Sequence, residues 1–409
     1  MSKNEIIKNT LKATRERRVN MACKVYELKI DYSHLSKYKK QYLTRLFLEK
    51  KWLRNMLVAN FDKYTANSKI DTVEVKVKNT FEERQLTCLS SQMKQSVYDE
   101  IKTNIFSLAR NKKSGNKIGK LKFVSQCNTI NLKQYGNTYK LNKSTLKLQG
   151  FKEHFKLNGI KQIPKNAEYA NAQLIKKSSG YYLHVTCYVP KIKKKTNGLG
   201  IGFDFGIKDN IIDSFGNKYN FKFKETKRLK KASKNSNRNY VKVGKSSNSS
   251  NKILKREYEK INNKKKDTKN KFISALKGYN IIAIQDENLK GWKSSERKGW
   301  GRKFQYSIMG GIISDIKRMP QTVIVDRYFA STKICPVCGS INKLSLSDRI
   351  FKCSCGYEED RDVKSAKIIL LEAINKVGEH NLNLQEGFVN GLLRNSRLNK
   401  PVDGRSQKF

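Results

Sequence analysis

Half of the eight cysteines of this chain fall in one window of 21 residues, as Cys335-x-x-Cys338 followed by Cys353-x-Cys355. Nothing else in the sequence restricts the local fold so tightly. Two pairs of thiolates on tight turns, joined by a short β excursion over residues 339–352, make a tetrahedral zinc ribbon. Gly339 and Gly356 each follow the second cysteine of a pair, where a knuckle turn favours a small residue. The second pair is C-x-C, a tighter knuckle than the more usual C-x-x-C. A four-cysteine site has no open position for substrate, so the ribbon itself is not catalytic. The other cysteines, Cys23, Cys88, Cys127 and Cys187, are scattered and read as core or incidental thiols. Residues 1–18 have no apolar leader core, so a reducing compartment is expected. No apolar run approaches the ~18 residues of a membrane span.

Charge narrows the function next. Lys and Arg number 86 against 35 Asp and Glu, a formal net charge of +51. That imbalance excludes an ordinary metabolic enzyme and asks for a polyanionic partner, with nucleic acid first. Abundant Lys, Asn and Ile with only 5 Pro indicate an AT-rich coding bias, which accounts for part of the excess. Hydrophobic residues make up 37%, with 18 Phe and 19 Tyr, so cores can form and a disordered condenser is excluded. At ~150 residues per domain, 409 residues predict two to four modules.

Residues 22–31 alternate and read as a strand. Residues 32–109 read mostly as helix, with Tyr42, Leu46, Leu53 and Leu57 on one face. From 121 to 190 the period changes to two, and Ser178-Ser179-Gly180 marks a hairpin turn. The first half is therefore a β-rich module with a helical insertion after its first strand, closed by a charged linker at 191–197. Residues 221–270 carry 18 Lys/Arg against 4 Asp/Glu and read as two basic helices. Either they are a solvated hairpin or they touch nucleic acid. Strands follow at 199–207, 211–213, 218–221, 280–286 and 321–326. Helices are expected over 301–319 and 362–380, with a polar tail beyond.

The chemistry lies in carboxylates on strands. Asp204 interrupts the apolar run Gly202-Phe203-Asp204-Phe205-Gly206, where a bare charge costs several kcal/mol unless compensated. Glu287 stands where the strand 280–286 stops, and Asp362 opens a helix directly after the ribbon. Three such carboxylates can converge on Mg²⁺, which prefers oxygen ligands. Two metals about 3.5–4 Å apart would activate a water and stabilise the leaving oxygen of a phosphodiester. Asp286 and Asp360 are rivals that spacing does not exclude, and a helix N-cap is the bland role for Asp362. The histidines, His34, His154, His184 and His380, sit near none of these motifs. Histidine-based acid–base chemistry is not expected. No G-x-x-x-x-G-K-[ST] loop is present, so ATP-driven activity is not indicated.

These motifs, in the order strand Gly200 to Asn210, strand Ile281 to Trp292, ribbon Tyr328 to Asp362 and helix from Asp362, resemble the TnpB family of RNA-guided DNA endonucleases. They are also similar to the compact type V CRISPR effectors. The resemblance covers most of the chain and is strongest over 198–371. It implies an α/β multidomain fold: an RNase H-like (RuvC) nuclease domain with a zinc-ribbon insertion, and an N-terminal wedge-type β-barrel with a helical recognition insertion. The implied modules are an arm and first wedge strand (1–32), the recognition insertion (33–116), the wedge barrel (117–197), a first nuclease segment (198–330), the ribbon (331–361), a second nuclease segment (362–382) and a polar tail (383–409). The implied catalytic and magnesium-binding residues are Asp204, Glu287 and Asp362, with Cys335, Cys338, Cys353 and Cys355 on zinc. Implied cofactors are Mg²⁺ (or Mn²⁺), Zn²⁺ and a guide RNA. The implied partners are that guide RNA and target double-stranded DNA, the expected state a monomer, and the expected location the prokaryotic cytoplasm at the nucleoid. Lys364 replaces the Asn usual in the family's D-x-N-A-A pattern, and Ile368 falls where a second Asn is common. A lysine there is expected to oppose metal binding by like-charge repulsion. Four other readings compete: a compact type V CRISPR effector, a nuclease-inactive RNA-guided repressor, a zinc-ribbon RNA-binding protein with structural duties, and a DNA-only nuclease or transposase. The Asp-Glu-Asp order disfavours the last.

Overall fold

The computed structural model describes residues 2–191, 197–206, 209–221, 223, 225–243, 248–289, 291, 307–345 and 348–378. Most of the linker, the tip of the basic hairpin, most of 290–306, His380 and the tail lie outside them. The chain divides into two compact units, Met1–Ile192 and Lys193–Phe409.

The first unit is built on one seven-stranded sheet. Helix α1 (Lys3–Val19) starts at Ser2 with a capping box to Glu5. Strand β1 (Met21–Ile30) follows, and helix α2 (Lys37–Ala59). Next comes a hairpin of β2 (Thr72–Val77) and β3 (Thr80–Gln85), then helix α3 (Ser91–Lys113). The remaining strands are β4 (Thr129–Leu132), β5 (Tyr139–Asn142), β6 (Thr145–Leu148), β7 (His154–Asn158), β8 (Glu168–Lys177) and β9 (Gly180–Pro190). Their order is β4-β8-β9-β1-β7-β6-β5, and a single bridge between Tyr135 and Tyr139 joins the chain after β4 to β5. Tyr42, Leu46, Leu53 and Leu57 of α2 are all buried in this unit's core, as their spacing predicts. Glu49 lies on the same helix and is also buried. Its carboxylate accepts the amides of Thr87, Cys88 and Leu89 and an Arg45 bond, which pins the entry to α3. The β2–β3 hairpin departs from the helical reading of 32–109. It is largely solvent-facing, yet Val73, Val75 and Val77 alternate with Glu74 and Lys76 along β2, a period-two signal that the helical reading passed over.

The second unit is a layered α/β structure. Its strands are β10 (Gly200–Phe205), β11 (Ile211–Asp213), β12 (Lys218–Tyr219), β13 (Ile281–Gln285) and β14 (Thr322–Val325), in the order β12-β11-β10-β13-β14. β10, β13 and β14 run parallel, and β11 is antiparallel to β10. Helices α4 (Lys227–Val243) and α5 (Asn248–Leu276) form the basic pair, followed by α6 (Met309–Ile316). A small ribbon of β15 (Ile350–Lys352) and β16 (Glu358–Asp360) leads into helix α7 (Arg361–Gly378). Among the described residues no helix is long and apolar enough to cross a membrane.

Strand period two sorts this sheet into faces. Ile201, Phe203, Phe205, Ile282 and Ile284 pack with Phe272, Leu276 and the apolar side of α6. Ala283 and Val325 pack with Ile369, Leu370, Ala373 and Ile374 of α7. Gly202 lies on the α7 face, where a Cβ would come within 2.2 Å of the Ala366 carbonyl oxygen. Only glycine lets helix and strand approach so closely. Asp204, two residues on, shares that face, and so does the odd-numbered series Ala283, Gln285 and Glu287. The period therefore delivers Asp204 and Glu287 to the side of the sheet on which α7 starts.

Candidate active site and four-cysteine centre

Three carboxylates meet at the ends of β10 and β13 and the start of α7. Burial first, then the charges of Asp362 and Glu287, push the Asp204 carboxyl up to about 8, against the pull of the Phe205 amide and Arg361. Glu287, two residues past β13, is also raised, by burial and then by Asp286. Asp362 is the second residue of α7, and Arg361 Nε lies 3.3 Å from its Oδ1. Arg361 offsets only part of the effect of the other two acids on Asp204, and carboxylate oxygens are the donor type that hard divalent ions take. As a set they are more open than the cysteines. Among the described residues, only the four cysteines bring three or more ligand atoms within 4.8 Å of one another.

The rival carboxylates are otherwise engaged. Asp286 pairs with Lys317 at 2.5 Å and Arg327 at 2.6 Å, and Lys317 chiefly holds it below the usual carboxylate range. Asp360 is the helix cap: its Oδ1 accepts the amides of Asp362 (2.9 Å) and Val363 (3.3 Å). Burial works against its ionisation, yet Lys218 at 2.8 Å and those amides keep it low. Because Asp360 caps α7, Asp362 is not needed for that role. Asp213, which is buried where those acids are only partly so, accepts the Phe215 and Asn217 amides and the Tyr219 hydroxyl, and closes the β11–β12 turn.

The cysteines form the second centre. Cys335 Sγ lies 3.6 Å from Cys355 Sγ, and Cys338 Sγ lies 3.5 Å from Cys353 Sγ. Zn–S bonds of about 2.3 Å place sulfurs about 3.8 Å apart at the corners of a tetrahedron, so the four thiols fit zinc. They are far beyond the ~2.0 Å of a disulfide. Two knuckles present them, the second closed one residue tighter than the first. Gly339 N donates to Cys335 O at 3.0 Å, and Gly356 N to Cys353 O at 3.0 Å. Both glycines take positive φ, 72° and 85°, as their place in the motif predicts. The Cys355 amide first, and the Ser340 hydroxyl next, hold the Cys353 thiol below its ordinary value, while Cys335 and Cys355 stand above theirs, so the four share their protons unevenly before any metal binds.

Lys364 is engaged by the ribbon. Its side chain is fully buried, and its Nζ donates to the carbonyls of Ser331 (2.9 Å) and Ile334 (3.1 Å). It also lies 4.2 Å above the Phe351 ring. The ammonium is thus bound to the ribbon, and burial pulls it down to about 8 while Cys335 and Asp204 oppose that shift. The same charge acts on Asp204, which favours the ammonium. Ile368 is buried in the α7 packing and offers no polar group. Sequence reasoning did not find Gln285 or Ser331, whose side chains bond each other at 2.9 Å beneath this site. The only available signal was a glutamine ending an otherwise apolar strand.

Residues 317–369 match the family described as Cas12f1-like, TNB domain. A curated protein of Streptomyces pristinaespiralis, named "Putative RNA-guided DNA endonuclease", is 45% identical over 51 residues, 12% of this chain and 13% of that protein. Among solved structures, a complex of Cas12f1 with sgRNA and target DNA is similar at 12% identity and a TM-score of 0.45, over 86% of this chain and 99% of that chain. That likeness is too slight to carry an argument. Both sequence likenesses are local: the family match covers residues 317–369, and this chain spans only 13% of the curated relative that it matches.

Proposed function

We propose that the chain is an RNA-guided DNA endonuclease that cuts phosphodiester bonds at an RNase H-like, RuvC-type site formed by Asp204, Glu287 and Asp362. The observation that carries this reading is the cluster itself. An aspartate on an apolar strand is raised to about 8 by burial and by two further carboxylates from distant stretches of the chain. A carboxyl raised in this way by burial and neighbouring acids marks a candidate functional site. Asp204, Glu287 and Asp362 would hold Mg²⁺ or Mn²⁺ through their oxygens. Bound there, a pair of such ions would supply an activated water and neutralise the leaving oxygen. Arg361 and Lys218, beside Asp362 and Asp360, would meet the phosphate backbone at the rim. Cys335, Cys338, Cys353 and Cys355 would hold zinc as a structural ion.

The charge of +51 suits a protein that grips two nucleic-acid backbones while base pairing reads the sequence. In this reading the first unit is the wedge, and α2 and α3 belong to its recognition insertion. A guide RNA and target double-stranded DNA are the partners of a monomeric chain. The test is cleavage of a guide-matched duplex by single alanine variants at Asp204, Glu287 and Asp362. Each is expected to lose cutting by at least about a thousandfold and to keep guide RNA binding. Cutting at the parent rate by all three would remove the site assignment.

A further inference from the structure

The buried lysine at position 364 has no role in that mechanism. A lysine is almost never fully buried unless its charge is satisfied. Here it is satisfied within one small network. The ammonium has three donors, and two go to the Ser331 and Ile334 carbonyls while the Phe351 ring lies beneath it. Ile334 precedes Cys335, and Phe351 stands two residues before Cys353. One side chain of α7 therefore touches the approach to both cysteine knuckles.

The network extends to β13. Ser331 Oγ donates to Gln285 Oε1 at 2.9 Å. The Gln285 amide nitrogen is shared among the carbonyls of Asp326 (3.0 Å), Arg327 (3.1 Å) and Phe329 (2.8 Å). The segment that enters the ribbon is thus clasped from two sides, by Gln285 from the strand and Lys364 from the helix. Gln285 is two residues before Glu287, and Lys364 is two residues after Asp362. Contiguous hydrogen bonds thus link the segment that enters Cys335 to near neighbours of both carboxylates.

We propose that Gln285, Ser331 and Lys364 are positioning residues that couple the four-cysteine centre to the carboxylate site, so that zinc at the cysteines fixes the backbone bearing Glu287 and Asp362. The proposal rests on the nuclease reading of those carboxylates. In it the ribbon belongs to the apparatus that aligns the site as well as being an appendage of it. A merely structural lysine would lower stability when removed, but it would not carry a zinc response to residues outside the ribbon.

The experiment is amide hydrogen exchange on the full chain, zinc-loaded and then stripped with a chelator. In the parent chain, stripping is expected to speed exchange at residues 285–289 and 361–366 by at least about fivefold, the lower end of typical site-to-site coupling. In Lys364→Met, which keeps the apolar stem and removes the ammonium, the response at both segments is expected to fall to within about twofold. Ser331→Ala removes only the link to Gln285 and serves where Lys364→Met does not fold. It is expected to lose the response at 285–289 and keep it at 361–366. A zinc response confined to residues 331–360 in the parent chain would overturn the proposal, as would a full response in both variants. Cleavage is assayed on the same samples. Failure of the parent chain to cut, with the exchange response intact, would refute the nuclease reading and leave the coupling standing.

Discussion

Replacing Asp204 with asparagine is expected to make the second unit more stable, and increasingly so as pH rises. Burial and the charges of Asp362 and Glu287 lift this carboxyl from 3.8 to about 8. The folded chain therefore holds the proton more tightly than the unfolded chain. Below about pH 3.8 the group is neutral in both states and the folded form keeps its full advantage. As pH climbs toward 8, only the unfolded form ionises freely, and stability is lost at about 1.4 kcal/mol per pH unit. Between about pH 5 and pH 8 that amounts to about 4 kcal/mol. The asparagine side chain would carry no such loss, so the gap between Asp204→Asn and the parent chain should widen by about that amount across the window. Urea unfolding at both pH values measures it, followed through the second unit's own transition. Added Mg²⁺ should close the gap by stabilising the parent chain alone, because a bound ion neutralises the repulsion. An asparagine variant less stable than the parent at the higher pH, or a gap that does not change with pH, would refute the argument that these carboxylates strain the fold together.

Three further outcomes follow from the same geometry. Asp286→Asn should cut within about threefold of the parent rate, because Asp286 is engaged by Lys317 and Arg327, whereas Glu287→Gln should lose cutting at least about a thousandfold; the reverse pattern in a cleavage assay would exchange their roles. Cys353→Ser should reduce zinc from one ion per chain to none by elemental analysis, and retention of a full equivalent would show that this sulfur is not a ligand. Gly202→Ala should cost about 3 kcal/mol or more in chemical unfolding, because its Cβ would meet the Ala366 carbonyl at 2.2 Å. Parent-like stability there would mean that α7 can lift off β10 freely.

The features of this molecule that were legible in its sequence are those where local chemistry leaves few choices. The spacing of Cys335, Cys338, Cys353 and Cys355 dictates knuckles, and Gly339 and Gly356 stand at positive φ where the turns need them. Period two along Gly202-Phe203-Asp204-Phe205 separates an apolar face from one that carries the aspartate, and the core follows that division. Other features depend on partners distant in sequence. The helix cap falls to Asp360 and not to Asp362, a difference of two residues that only the backbone entry angle decides. Lys364 looks from its position like an intruder beside the metal, but its direction is set by carbonyls 30 and 33 residues earlier in the chain. The β2–β3 hairpin was legible in the alternation of Val73, Val75 and Val77, but the long helical pattern on either side of it overrode so short a signal.

The most direct test of the account is programmed cutting. The full chain is purified with the RNA it carries, that RNA is sequenced, and the chain is offered two duplexes in Mg²⁺, one matching the guide segment and one with that segment scrambled. The account predicts a discrete RNA, cutting of the matched duplex alone, and loss of that cutting in Asp204→Ala. Equal cutting of both duplexes, or a chain that carries no discrete RNA, would contradict guidance by RNA. Binding of the matched duplex with no cutting in Mg²⁺ or Mn²⁺ would contradict the assignment of Asp204, Glu287 and Asp362 as a working nuclease site.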